Sequence, residues 1–165
     1  MTLTESKILD GMNAVLFAAY PNAPVHVNLV PADFTRPALA IIPGEKSAKH
    51  AACLLIERSE AYTVIEFLPM NEKGESIREE LYAEQVRLMQ LFSKPFSAGD
   101  RMLMPTEVKA LTINDPGEIG IGIRLNFLDD AAENDTETET DEMMETVFIK
   151  NMSENTEVIN GTSPA

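Results

Sequence analysis

GDRMLMPTEVKALTI (residues 99–113), NDPG (114–117) and EIGIGIRLNF (118–127) together decide the fold. Met102 to Ile113 and Ile119 to Phe127 both have strand composition, and Asn-Asp-Pro-Gly between them has the residues of a turn, so the stretch reads as a hairpin. Successive strand side chains point to opposite faces, which groups Ile119, Ile121, Ile123, Leu125 and Phe127 on one face. Gly120, Gly122, Arg124 and Asn126 fall on the other face. Glycines at alternate positions leave a bare strip of strand, where a bulge or the close approach of another segment is expected. A tract of acids from Asp129 to Glu142 follows, and TVFIK (146–150) then reads as a short returning strand.

Outward from the hairpin, the chain alternates helical and strand patterns. Ile8, Met12, Val15, Leu16 and Ala19 have the spacing of a one-sided helix over Glu5 to Tyr20, with a capping box at Thr2 and Glu5 and with Pro21 and Pro24 closing it. Val25, Val27 and Leu29 alternate with polar residues, as in a half-buried strand. The apolar run Ala38 to Ile42 is a second strand ended by Pro43-Gly44. Residues 51–68 are rich in β-branched and aromatic side chains and form either a hairpin or one long bent strand. Ser76-Ile-Arg-Glu is a second capping box, opening a helix that runs to Phe92 before Pro95. Its apolar residues lie on two sides: Ile77, Leu81, Leu88, Leu91 and Phe92 on one, Tyr82, Val86 and Met89 roughly opposite. The second stripe either wraps into the domain's own core or meets another subunit. The expected architecture is α+β, a mixed, mainly antiparallel sheet with two helices packed on it. Residues 1–150 are expected to form one domain with an acidic loop at 129–142, and 151–165 a mobile C-terminal tail.

A chain of 165 residues can bury a sizeable core without disulfides or metals. Its single Cys53 lies in the apolar run Ala-Ala-Cys-Leu-Leu-Ile and reads as a small core residue in a reducing compartment. The N-terminal residues lack the pattern of a signal peptide, and no run of apolar residues is long enough to span a bilayer, so neither export nor a membrane is expected. The net charge is −14, but eight of the 27 acids lie between 129 and 142, leaving 19 acids against 13 bases elsewhere. Nucleic-acid binding draws on Lys and Arg replacing condensed counterions, so a surface this acidic is not expected to bind DNA specifically.

No set of catalytic groups can be assembled from the sequence. His26 and His50 sit in different elements with no Cys or carboxylate at ligand spacing, so solvent-facing or hydrogen-bonded roles are expected and no metal or cofactor is implied. Glu-Ile-Gly-Ile-Gly lies inside a strand with no helix after it, unlike a phosphate loop. The acidic tract lacks the glycine and register of a calcium loop, and reads as a solvated loop.

FTRPALAI (34–41), where a loop meets the first core strand, and the Tyr62 to Pro69 strand leading into the second helix resemble the tail terminator (tail completion) proteins of long-tailed bacteriophages. The resemblance extends over residues 8–150; the acidic insertion and the extension after Lys150 depart from that pattern. It implies a virion protein that forms a ring, expected to be hexameric, at the head-proximal end of the tail tube. Its expected partners are further copies of itself, the tail tube protein and the head-tail connector protein, with assembly in the bacterial host cytoplasm and DNA passing through the ring. Under this resemblance Tyr82, Val86, Met89, Gly120 and Gly122 are candidate subunit contacts, and Phe34, Arg36 and Arg101 candidate partner contacts. A small acidic inhibitor or immunity-type binding protein, or a small α+β enzyme, are the alternatives; an enzyme would need a concave pocket with converging polar groups.

Overall fold

A computed structural model describes residues 2–112 and 116–131, which belong to a compact unit ending at Ala131. Two helices, α1 (Glu5–Ala19) and α2 (Arg78–Phe92), lie on one face of a five-stranded sheet. The strands are β1 (Val25–Val27), β2 (Ala38–Ala52), β3 (Leu55–Phe67), β4 (Phe96–Ala98), β5 (Arg101–Leu103), β6 (Pro105–Ala110) and β7 (Glu118–Asp130). The sheet order is β1-β2-β3-β7-β6, antiparallel except for the parallel β1/β2 pair, and β4 with β5 makes a separate two-stranded ribbon. The expected α+β architecture is the observed one.

The core follows from the two periodicities. Ile8, Met12 and Leu16 of α1 and Leu81, Leu88 and Phe92 of α2 are buried, and they meet Leu39, Ile41, Tyr62, Val64, Ile121, Ile123 and Leu125 from the sheet. The two helix stripes cover one sheet face, so the strands alternate burial along their length. A smaller cluster of Ala38, Ala40 and Phe67, with Phe34 and Val30, occupies one end of the opposite face.

Several sequence expectations are corrected in detail. β2 does not end at Pro43-Gly44; it continues to Ala52, turns at Cys53-Leu54 and returns as β3. Pro43 is tolerated because β1 has already ended beside Ile41 and the register with β3 shifts between Pro43 and Lys46. Cys53 is therefore exposed at a hairpin tip and is no core residue. Neither capping box forms. α1 starts after Thr4, with no side-chain cap, and the Ser76 hydroxyl accepts a hydrogen bond from the Gly117 amide at 3.0 Å instead of capping α2. The ribbon β4/β5, closed by Gly99 at a φ of 65°, was not expected; Phe96 enters the core edge-on to Phe92 at 6.3 Å. The returning strand at 146–150, the tail 151–165, residues 132–142 of the acidic tract and residues 113–115 of the turn lie outside the described residues.

Gly11 of α1 marks where this ribbon meets the helix. A Cβ placed there would lie 2.1 Å from the Ser97 carbonyl oxygen, so only glycine lets the ribbon backbone approach. Gly11→Ala is expected to destabilise the protein by about 1–3 kcal/mol, the usual cost of overpacking, as a lowered urea midpoint at unchanged slope.

Candidate functional site

The lateral edge formed by α2 and β6 is built around Gln85. Its amide Nε2 donates to the carbonyls of Leu111 and Gly120, both at 2.8 Å, which holds α2 over the place where β6 leaves the sheet. Leu111 in turn covers Gly120, and the Lys109 stem covers Gly122; a Cβ on either glycine would come within 3.2 Å of these side chains. The bare glycine strip expected as a subunit contact is thus occupied by the chain's own β6 segment. Tyr82 and Val86 do face outward, each 53% exposed. Met89 does not complete that stripe, because its unbranched side chain packs against the main core. Between α2 and the end of β6 lies an open cleft of about 400 Å3, lined by Arg78, Tyr82, Gln85, Ala110, Leu111 and Thr112. Met102 and Met104, exposed at 66% and 55%, add apolar surface around the start of β6.

The opposite lateral edge is β2. β1 pairs with it only at Leu39, Ala40 and Ile41, so Gly44 to Ala52 has no neighbour on that side among the described residues. Every residue of this nine-residue stretch is exposed. The sheet is therefore open at both ends, and the two ends differ in sequence and in shape.

The three residues expected as partner contacts are engaged within the chain. Phe34 stacks at a tilt on Phe67, with ring centroids 4.6 Å apart. Arg36 lies 5.6 Å from both ring centroids, donates to the carbonyls of Leu68 and Gly117 at 3.0 Å, and pairs with Glu118 at 3.5 Å. It ties the loop before β2 to the end of β3 and the start of β7. Arg101 pairs with Asp129 at 3.3 Å and donates to the Leu128 carbonyl at 3.0 Å. Arg36 and Arg101 satisfy strand carbonyls that would otherwise lack a donor, while Phe34 holds its loop by packing on Phe67.

The tract beginning at Asp129 also changes meaning at its start. Asp129 and Asp130 belong to β7, and Asp129 is 1% exposed. Its carboxylate accepts two bonds from the Leu3 amide, at 3.2 and 3.0 Å, and pairs with Arg58 at 2.7 Å and Arg101 at 3.3 Å. Arg58 also pairs with buried Glu60, which accepts a bond from the Tyr62 hydroxyl, and lies 5.0 Å from the Phe127 ring centroid. Burial works against ionisation of Asp129, yet Arg58, the Leu3 and Asp130 amides and the charge of Arg101 hold it below the usual carboxylate range. Such a group stabilises the fold above the unfolded value of 3.8 and loses that contribution as pH falls through its lower folded value.

A second buried carboxylate behaves in the opposite sense. Glu66 on β3 is 4% exposed and accepts a bond from the Tyr20 hydroxyl at 3.3 Å; Glu84 of α2 lies 3.5 Å from the same hydroxyl, and Arg87 sits 4.9 Å from the Tyr20 ring centroid. Burial, then the Glu84 charge, push Glu66 up to about 7. His26 shows a smaller imbalance: its Nε2 is buried without a hydrogen-bond partner, so the expected solvent-facing or bonded role does not hold for that atom. No group of three or more potential metal ligands occurs among the described residues. Comparison with protein-family models and with curated proteins finds no match.

Sequence reasoning missed Arg58, Glu60, Glu66 and Gln85. A signal for the two glutamates was present: alternation places Glu60 and Glu66 on the same face as Tyr62 and Val64, and a carboxylate on an apolar strand face requires a partner.

Two predictions follow from these networks. Asp129→Ala leaves the half-buried Arg58 beside one carboxylate and the Leu3 amide without its acceptor; it is expected to cost about 3 kcal/mol in urea unfolding. Glu66 binds more protons folded than unfolded between its ordinary 4.5 and about 7, so stability falls as pH rises through that window. Glu66→Gln should remove that slope and stabilise the protein by roughly 3 kcal/mol above pH 7, at 1.36 kcal/mol per unit, read from unfolding midpoints at several pH values.

Proposed function

We propose that this protein is a structural component of a phage tail, a ring-forming terminator that caps the head-proximal end of the tail tube and offers a surface to the head connector. The observation that carries the reading is the sheet left open at two dissimilar edges, with both helices on one face. Dissimilar edges favour head-to-tail contacts, and heterologous contacts close into rings when the rotation between copies permits. The half-exposed Tyr82 and Val86 beside the β6 edge add apolar contact area for a neighbour. The resemblance at residues 34–41 and 62–69 points to the same role, a hexameric ring within the virion.

Capping of this kind involves no bond-making step. One surface of the ring binds the last layer of tube protein and so denies that layer to the next. The charge of −14 suits a ring through which DNA passes, because like charges discourage adhesion to the lumen.

The test mixes the full chain with tail-tube protein and measures particle mass in solution and tube length by electron microscopy. The reading predicts a closed oligomer on tube ends and tubes that stop growing. A chain that stays monomeric, with and without tube protein, and leaves tube length unchanged would contradict it.

A further inference from the structure

We infer that the Tyr20 hydroxyl, held between Glu66 of β3 and Glu84 of α2, is a proton-gated latch: it ties the end of α1 to α2 while Glu66 carries a proton and releases α2 when that proton leaves. The inference goes beyond the ring reading and does not depend on it.

A count of hydrogens makes the case. The Tyr20 hydroxyl oxygen lies 3.3 Å from Glu66 Oε2 and 3.5 Å from Glu84 Oε2. A phenol has one hydrogen to donate and an ionised carboxylate has none, so the hydroxyl can bond both groups only when one carboxyl is protonated and donates back to the phenolic oxygen. Burial decides which one. Glu66 is 4% exposed, whereas Glu84 is partly open to solvent and has the Arg87 guanidinium at 3.5 Å. The proton therefore belongs on Glu66.

Strand alternation sets Glu66 on the helix side of the sheet, where its cross-strand neighbours Leu39 of β2 and Ile119 of β7 are buried and apolar. Arg36, paired with Glu118, lies over Phe67 on the opposite face. The titratable and charged groups that face Glu66 are thus Tyr20 at the end of α1 and Glu84 and Arg87 of α2. Burial, then the Glu84 charge, push Glu66 up to about 7, and burial with both glutamates raises the Tyr20 hydroxyl, so the phenol keeps its hydrogen while Glu66 titrates.

Once Glu66 gives its proton to solvent, two carboxylates face a single hydrogen. Glu66 is fixed on the central strand, so the phenol donates to it, and Glu84 turns away toward Arg87 and water. The latch is complete below the ordinary 4.5 and is lost as pH rises through about 7. Glu84 stands between Tyr82 and Val86 in sequence, so its release loosens the turn of α2 that carries those exposed side chains.

Amide hydrogen exchange on the full chain tests this at about pH 6 and about pH 8, either side of the Glu66 value, with rates corrected for intrinsic exchange. The amides of Tyr20 and of Glu84 to Leu88 should lose protection by about tenfold more than those of Tyr62 to Val64 in the core, the change that proton linkage gives across that interval. Glu66→Gln, whose side-chain amide donates to the phenolic oxygen at every pH, should keep α2 protected at the higher pH and abolish the difference. An equal loss at all these amides would leave Glu66 a contributor to global stability alone and overturn the latch. No loss at all, or a selective loss that persists in Glu66→Gln, overturns it as well.

Discussion

Asp129 lies near the end of β7, buried among Arg58, Arg101 and the amide of Leu3, and four segments of the chain meet through it. It joins the N-terminal residues to the sheet, sets β3 against β7 by way of Arg58, and holds the β4/β5 ribbon through Arg101. Taking several charges out of water is costly, and attraction offsets that cost only when every partner is in place. Here they are: Arg58 also binds the Leu3 carbonyl and Glu60, and Glu60 accepts the Tyr62 hydroxyl. This charged network closes the end of the core where Leu3, Leu125 and Phe127 pack.

Strand pairing is what leaves the edges open. Beyond Ile41 the sheet outlasts β1, and β6 pairs with β7 only from Pro105 to Ala110, so backbone groups remain unpaired on both flanks. Open edges are a hazard for a protein meant to stay alone and a resource for one meant to assemble. The charged residues along β2, with Pro43 and a register shift near its start, make indiscriminate pairing harder while still admitting a matched partner.

The fold was legible wherever one periodicity ran uninterrupted. Ile8, Met12 and Leu16 announced α1, and alternate Ile119, Ile121 and Ile123 announced the buried face of β7. It was less legible where local chemistry competed with tertiary context. Pro43-Gly44 has the composition of a strand stop, yet it falls where β1 has ended and the register to β3 slips, so the strand continues. The Cys-Leu-Leu run looks like core because its hydrophobicity is real, but it forms a hairpin tip. Gly120 and Gly122 did signal a close approach, and the segment that approaches is the chain's own Leu111 and Lys109. Asp129 was hidden because seven acids follow it closely in sequence, and only the three-dimensional position of Arg58 separates it from them. The exposed helix positions Tyr82 and Val86 stood out by helical spacing, whereas the free β2 edge depends on which strands pair with which.

The central claim is that the two open sheet edges are contact surfaces of one assembly. Hydrogen–deuterium exchange on the full chain, alone at low concentration and then assembled with tail-tube protein, reads those edges directly. The account predicts that the unpaired amides of the edge strand β6 and those of Gly44 to Ala52 slow together on assembly. Exchange at both edges that is unchanged by assembly, with protection appearing elsewhere, would contradict it.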